Sequence, residues 1–168
     1  MKAQNKYNEN SQRCIRGMKF QYRVLNELKE ASFEVDEVRK QFSKKYPKLT
    51  KYQLNNLEQR FGDVVMLFNG RLVFIECVNI GTEFTSPFPE HKIKKFQGSE
   101  KWYAIGWKGY KTKFIHSSTM NAYAKKLPSF EREGKKFRDL RRWNIKNIKK
   151  SISGASEFMK FLKNEKCK

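Results

Sequence analysis

The sequence has few acidic residues, cysteines, histidines and prolines, and it has no long apolar run. Its 168 residues include 3 Cys, 2 His and 4 Pro, and 17 Asp and Glu stand against 37 Lys and Arg. Without a CxxC spacing we expect no structural zinc site and three reduced thiols. No apolar segment approaches the roughly 18–20 residues that span a bilayer, and the polar N-terminus is not a secretory signal. We therefore expect a cytoplasmic, intracellular protein.

The excess of basic residues is the strongest feature of the composition. The formal net charge is +20 and the sequence pI is about 10. A charge of this size predicts a polyanionic partner, with nucleic acid first and an acidic membrane surface second. Aromatic residues make up 14% of the chain, which is too many for a disordered basic tail. The length and composition predict one folded domain that binds nucleic acid.

The basic residues are concentrated towards the C-terminus. Residues 108–168 contain 18 Lys and Arg and 5 Asp and Glu, and the densest stretch is 135–150. Apolar residues alternate with the basic ones there, which favours a helix that packs on the domain while its other face contacts phosphates; a solvated amphipathic helix is the alternative. The candidate phosphate contacts are Lys135, Lys136, Arg138, Arg141, Arg142, Lys146, Lys149 and Lys150.

Local patterns predict an α/β fold with a mixed central sheet flanked by helices. The predicted elements are a helix from residue 10 or 11 to 29, a strand at 33–39, a helix capped by Thr50 that ends near Arg60, a loop at 80–88, a helix at 90–97, and strands at 102–107 and 113–116. Residues 9–128 form the predicted core. Residues 129–168 are predicted to be a basic helical extension that packs on the same domain.

The clearest local signal is a β-hairpin with the sequence GDVVMLF-NG-RLVFIECV. Two β-rich runs joined by Asn69-Gly70 predict a two-residue type I′ turn. If these two residues form the turn, the register places Asp63 opposite Glu76 at a non-hydrogen-bonded pair. Cβ atoms at such a pair lie roughly 4.5–5.5 Å apart.

Two opposed carboxylates repel each other unless a proton or a cation lies between them. A hard divalent ion, Mg²⁺ or Mn²⁺, suits a site made of oxygen ligands. The alternative is that Asp63 is solvated at the end of the strand and Glu76 pairs with a lysine. In a strongly basic protein, a metal held by this pair predicts hydrolysis of a phosphodiester, while the basic surface provides affinity for the nucleic-acid backbone.

The same residues resemble a known signature. Gly62-Asp63 followed by Ile75-Glu76-Cys77 is similar to the Asp…(Asp/Glu)-x-Lys motif of the PD-(D/E)xK nuclease superfamily. RGMKFQ at 16–21 resembles the helix in which these nucleases carry G-x-x-x-E. ECVN followed by EFTSPFPEHKIKKFQ resembles the RecU-type Holliday-junction resolvases. The resemblance covers residues 16–116 and implies a restriction-endonuclease-like fold.

The resemblance also implies roles for individual residues. Asp63 and Glu76 would hold the metal, and the Cys77 carbonyl would complete the site. Gln21 stands where the first helix of the family usually offers Glu, so it could bind a metal-bound water without adding charge.

The lysine of the family motif is missing from its usual position. Val78 stands there, two residues after Glu76. In some members the lysine has moved to a neighbouring element, and Lys92 is the candidate here, with Lys94 and Lys95 as alternatives. A surface lysine at a helix start is the other interpretation of Lys92.

The function implied is a Mg²⁺-dependent DNA endonuclease, acting as a homodimer on branched or junction DNA. A site-specific nuclease of the restriction or homing type shares the same core. A catalytically weak DNA-binding module is a further alternative, favoured by Val78 and Gln21. The last alternative is an RNA-binding protein that stacks bases on Trp102, Tyr103 and Trp107.

Overall fold

A computed structural model describes residues 2–79, 86–90, 101–106, 109–140, 148 and 150–165. The helices in these ranges are α1 (Lys2–Glu30), α2 (Val38–Lys45), α3 (Lys51–Phe61), α4 (Ser117–Ala124) and α5 (Ala155–Asn164). The strands are β1 (Glu34–Glu37), β2 (Val64–Phe68), β3 (Arg71–Asn79), β4 (Ser86–Pro89), β5 (Lys101–Gly106), β6 (Lys113–His116), β7 (Ser129–Arg132), β8 (Lys135–Leu140) and β9 (Ile152–Ser153).

A mixed sheet forms the centre of the fold, in the order β1-β2-β3-β5-β6-β9. Strands β3 and β5 run parallel, and the other neighbours in this sheet are antiparallel. Helices pack against both faces of the sheet. The predicted α/β architecture with a mixed central sheet is therefore confirmed.

The β2–β3 hairpin forms as the sequence predicts. Asn69 and Gly70 have φ values of 50° and 76°, the left-handed conformation that a type I′ turn requires. Phe68 pairs with Arg71, and the register continues to the last pair, Val64 with Ile75. The ladder ends at this pair, and Asp63 lies directly before it in the chain.

The two faces of the sheet carry separate apolar clusters. On one face, Val24 and Leu28 of α1 and Phe158 of α5 pack on Ile75 and Ala104. On the other face, an apolar cluster forms around β5, β6 and α4 from Tyr103, Ile105, Ile115, Met120, Ala124, Leu127 and Ile148. Alternation along β3 and β5 places Glu76 on this second face, which we call the Tyr103 face.

The prediction of a helix in the region after residue 129 is wrong for residues 129–140, which form the β7–β8 hairpin. Glu133 and Gly134 make its turn, with φ values of 53° and 69°, and the rings of Phe130 and Phe137 stack across it at 5.7 Å. Phe130 and Phe137 are direct partners across the hairpin, and this aromatic pair stabilises the two strands. The extension is helical at α5, in the part of the chain that the structure describes.

The predicted loop at 80–88 is also only partly correct, because residues 86–89 form β4. This strand pairs with β8 at one edge of a three-stranded sheet in the order β4-β8-β7. Pro87 and Pro89 lack an N–H, which an edge strand tolerates. The predicted helix at 90–97 lies outside the described residues except for Glu90.

Candidate active site

A glycine brings the candidate metal ligand Asp63 against β3. Helix α3 ends at Phe61, and Gly62 follows with φ 102° and ψ −170°, a conformation open to glycine almost alone. A Cβ added at Gly62 would lie 2.8 Å from the Ile75 carbonyl oxygen. The sequence Gly62-Asp63 therefore lets α3 lead into β2 at close contact with β3.

Asp63 is fixed through its backbone and its side chain. Its N–H donates to the Ile75 carbonyl at 3.0 Å, and its own carbonyl accepts from the Val38 N–H at 3.0 Å. Its carboxylate oxygen Oδ2 accepts from the Cys77 N–H at 2.8 Å. The acid is therefore held against the residue that follows Glu76. The regular ladder ends at Val64 and Ile75, and the Asp63 N–H bonds to Ile75 instead of continuing the register.

Glu76 lies within the sheet and is 5% exposed. Its neighbour across the parallel β3–β5 pair is Tyr103, which is fully buried. Burial raises the pKa of the Tyr103 hydroxyl, and the negative charge of Glu76 raises it further. A carboxylate buried to this extent is stabilised by a proton or a cation.

Cys77 offers its backbone rather than its thiol to this site. Its side chain packs on the opposite face, against the cluster that contains Ile75. In a strand the N–H and C=O of one residue point to the same side, and the Cys77 N–H points to Asp63. The Cys77 carbonyl is therefore directed towards the same gap at the start of β2.

These donors fit a hard divalent cation, because two carboxylates and a backbone carbonyl are all oxygen ligands. In the described part of the chain, no group of three or more His, Cys, Asp or Glu side chains could hold a metal ion. The protein ligands that fit a metal here are therefore two side chains and one carbonyl, a small set that suits Mg²⁺ because it keeps several waters.

Two further residues, Gln21 and Glu58, interact with Asp63. Gln21 of α1 donates from Nε2 to the Asp63 carbonyl at 3.5 Å, so it contacts the backbone of the acid. Burial raises the pKa of Glu58 above its ordinary value; Arg39 lowers it, and Asp63 contributes to the rise. Sequence reasoning missed Glu58, although its position five residues before Asp63 near the end of a predicted helix is a signal for proximity.

Val78 occupies the position of the family lysine, and its half-buried side chain packs against the Tyr103 face. It shares that face with Glu76. Lys92, Lys94 and Lys95 lie outside the described residues. The cation that the family motif requires is thus not provided at position 78.

Some of the predicted phosphate contacts are exposed to solvent, and one forms bonds within the protein. Lys135 and Lys136 are exposed on β8, and Lys150 is exposed before β9. Arg138 instead bonds within the protein, from Nε to Glu90 at 2.8 Å and from a terminal nitrogen to the Leu127 carbonyl at 2.9 Å. The remaining candidates Arg141, Arg142, Lys146 and Lys149 lie outside the described residues.

Base stacking is ruled out for Trp102 and Tyr103, the two candidate aromatics on β5. Trp102 is 6% exposed and Tyr103 is fully buried. Trp102 packs edge-on against Phe158 with ring centroids 4.8 Å apart. Both rings are part of the core, while Trp107 lies outside the described residues.

Protein families and curated sequences give no match to the chain, whereas solved structures do. No protein-family profile matches the chain. No curated protein sequence matches it. Among solved structures, the chain is similar to Hjc, a Holliday junction resolvase from the archaeal hyperthermophile Archaeoglobus fulgidus, with 16% identity and a TM-score of 0.46. The match covers 77% of this chain and 86% of that chain.

No helix among the described residues is long and apolar enough to cross a membrane.

Proposed function

We propose that this protein is a metal-dependent DNA endonuclease with its active site at Asp63 and Glu76. The observation that carries the proposal is the position of the two acids relative to β3. Glu76 is buried in this strand, and the Asp63 carboxylate accepts a hydrogen bond from the N–H of Cys77, the residue that follows Glu76. A net charge of +20 supports a polyanionic substrate. A DNA substrate also favours action inside the cell.

Asp63, Glu76 and the Cys77 carbonyl would hold Mg²⁺ or Mn²⁺. A bound metal of this kind polarises a phosphoryl oxygen, activates a water and stabilises the leaving oxygen. The Cys77 N–H orients the Asp63 carboxylate by charge-assisted hydrogen bonding, and Gln21 ties α1 to the Asp63 backbone. The apolar Tyr103 face beside Glu76 limits the access of solvent to the carboxylate.

We propose Lys92 as the cation near the attacking water, with Lys94 and Lys95 as alternatives. The half-buried Val78 on the Glu76 face supports a displaced lysine, because an apolar side chain there cannot orient a water. We further propose branched or junction DNA as the substrate and a two-fold homodimer as the active form, since two symmetric sites match two strands of a junction.

A DNA-binding module with weak catalysis is the second candidate. The observation that favours it is the same Val78, which leaves position 78 without a charge. The two candidates differ in cleavage, whereas both predict binding to DNA.

A cleavage assay tests the proposal on supercoiled, linear and four-way-junction DNA. We expect cleavage with Mg²⁺ or Mn²⁺, loss of cleavage in EDTA, and loss in Glu76→Gln. Glu157→Gln is the matched control, because Glu157 pairs with Lys160 on α5, the helix that packs on the opposite face of the sheet. Preference for the junction supports the resolvase substrate, and cleavage of linear DNA at one sequence supports a site-specific enzyme.

Two results would contradict the enzyme. Cleavage by Glu76→Gln equal to wild type would move the active site elsewhere. Binding without cleavage by wild type, with activity gained in Val78→Lys, would favour the DNA-binding module.

A further inference from the structure

A helical hairpin, α2–turn–α3, stands between β1 and β2 and carries a dense positive charge. Residues 38–60 contain seven Lys or Arg and one Glu. Two of these cations are neutralised locally, since Lys40 pairs with Glu37 at 3.1 Å and Lys44 pairs with Asp36 at 2.8 Å. The five remaining cations are Arg39 and Lys45 on α2, Lys48 in the turn, and Lys51 and Arg60 on α3.

Three lysines in and beside the turn are exposed: Lys45, Lys48 and Lys51. The first turn of α3 contains no acidic residue. Thr50 fixes the start of α3 by a capping box, in which its side chain accepts from the Gln53 N–H at 3.3 Å. The positive end of the helix dipole thus adds to the field of the three lysines.

The inner face of α3 is anchored by aromatic packing. Phe61 stacks on Phe42 of α2 with centroids 5.5 Å apart and contacts Phe74 of β3 at 4.9 Å. Leu54 is buried. These contacts join both helices to the sheet, so the outer face of α3 is presented in a fixed orientation.

The outer face of α3 carries Tyr52, Asn56 and Gln59 at the spacing i, i+4, i+7, which aligns them along one side of a helix. All three are exposed, and Tyr52 is 74% exposed. No carboxylate lies among them.

The chemistry of this surface matches duplex DNA. Lysine ammonium groups neutralise phosphates, and Asn and Gln amides form paired hydrogen bonds with adenine in the major groove. A helix of 11 residues is about 16 Å long, and the major groove, about 12 Å wide, admits an α-helix.

The position of α3 connects this surface to the candidate active site. Asp63 follows the end of α3 by two residues. Phe74, which packs on α3, lies on the same face of β3 as Glu76 because the two are two residues apart. DNA held by α3 would therefore pass next to the two acids.

We propose that the α2–α3 hairpin is a duplex-DNA-binding element. Lys45, Lys48 and Lys51 contact the phosphate backbone, and Tyr52, Asn56 and Gln59 face the base edges in the major groove. The choice of DNA as the partner rests on the proposed function, but the binding itself is measured without cleavage.

The first test measures duplex affinity by fluorescence anisotropy in EDTA as a function of salt. For the triple variant Lys45→Ala/Lys48→Ala/Lys51→Ala we expect a salt slope lower by about 2.7, because each phosphate contact contributes roughly 0.9. At about 0.1 M salt this corresponds to affinity lower on the order of a hundredfold.

The matched control removes three exposed lysines from the opposite face of the sheet: Lys29→Ala/Lys160→Ala/Lys163→Ala. We expect it to keep most of the slope and affinity. Equal slopes for the two triple variants would overturn the assignment of the hairpin. Circular dichroism of both variants verifies that they are folded.

The second test selects bound sequences from a library of random duplexes. We expect wild type to enrich particular sequences and Asn56→Ala/Gln59→Ala to lose that enrichment while keeping the salt slope, because amides carry no charge. No enrichment by wild type would overturn the base-edge contacts. Tighter binding of an RNA duplex than of the same DNA duplex would overturn the choice of partner.

These results separate the hairpin from the enzyme. Cleavage by wild type with equal slopes for both triple variants rejects the hairpin and leaves the active site standing. Hairpin-dependent binding with no cleavage rejects the proposed enzyme and supports the hairpin. Absence of duplex binding by wild type rejects the hairpin as a DNA-binding element.

Discussion

Replacement of Gly62 by alanine tests how the fold holds the start of β2 against β3. The φ of 102° and ψ of −170° cost of order 1–3 kcal/mol for a residue with a Cβ. The added Cβ would also lie 2.8 Å from the Ile75 carbonyl oxygen, and overpacking against a group that cannot turn away costs typically 1–3 kcal/mol. We therefore expect Gly62→Ala to lower the free energy of unfolding by about 2–6 kcal/mol.

Two other glycines separate these contributions. Gly70 has φ 76° and no atom within 4 Å of an added Cβ, so Gly70→Ala tests strain without a clash, at roughly 1–2 kcal/mol. Gly17 lies inside α1, also with open space around it and without a positive φ. Gly17→Ala should stabilise the protein by about 0.5–1 kcal/mol, the usual helix preference.

Urea unfolding of the three variants gives the free energies, and thermal unfolding gives Tm. For a chain of this length 1 kcal/mol corresponds to roughly 2–4 °C, so we expect Tm to fall by about 4–24 °C in Gly62→Ala. A cost in Gly62→Ala no greater than in Gly70→Ala would refute the close contact between Gly62 and β3.

Three further outcomes are expected. Mg²⁺ at about ten times its Kd should stabilise wild type by about 1.4 kcal/mol and leave Glu76→Gln unchanged in a thermal shift assay; equal shifts would contradict the metal site. The raised pKa of the Tyr103 hydroxyl contributes stability that is complete below pH 10 and is lost as the pH rises further. The urea midpoint should therefore fall less between pH 10 and 12 in Tyr103→Phe than in wild type. An equal fall of the midpoint in both proteins would refute the role of Tyr103. Lys92→Ala should abolish cleavage while DNA affinity stays within a few-fold of wild type; full cleavage would transfer the role to Lys94 or Lys95.

The sequence was sufficient to predict those parts of the structure that depend on residues close together in the chain. The β2–β3 turn follows from Asn69-Gly70, which adopt the left-handed conformation locally, and the register then fixes every pair up to Val64. The start of α3 follows from Thr50, whose capping bond spans three residues. These signals led to Asp63 and Glu76 together.

Sequence failed where the partner is distant or the local signal is ambiguous. Glu133-Gly134 makes a turn like that of Asn69-Gly70, but Glu is uncommon in the left-handed conformation and the basic residues around it favoured a helix. Strand β4 exists because β8, about fifty residues later, pairs with it. The packing of α3 beside Glu76 depends on Phe61 meeting Phe74, which no local pattern predicts.

The packing of α5 has a consequence for the order in which the protein can be made. Phe158 is fully buried, and it packs on Phe33 and Phe114 from much earlier parts of the chain. Strand β9 likewise covers the edge of β6. A growing chain that has passed Asp63 and Glu76 still lacks the residues that close its core, and contacts over such distances in sequence form slowly. Synthesis must therefore pass residue 158, and this residue must emerge from the ribosome, before the core on this face of the sheet can close.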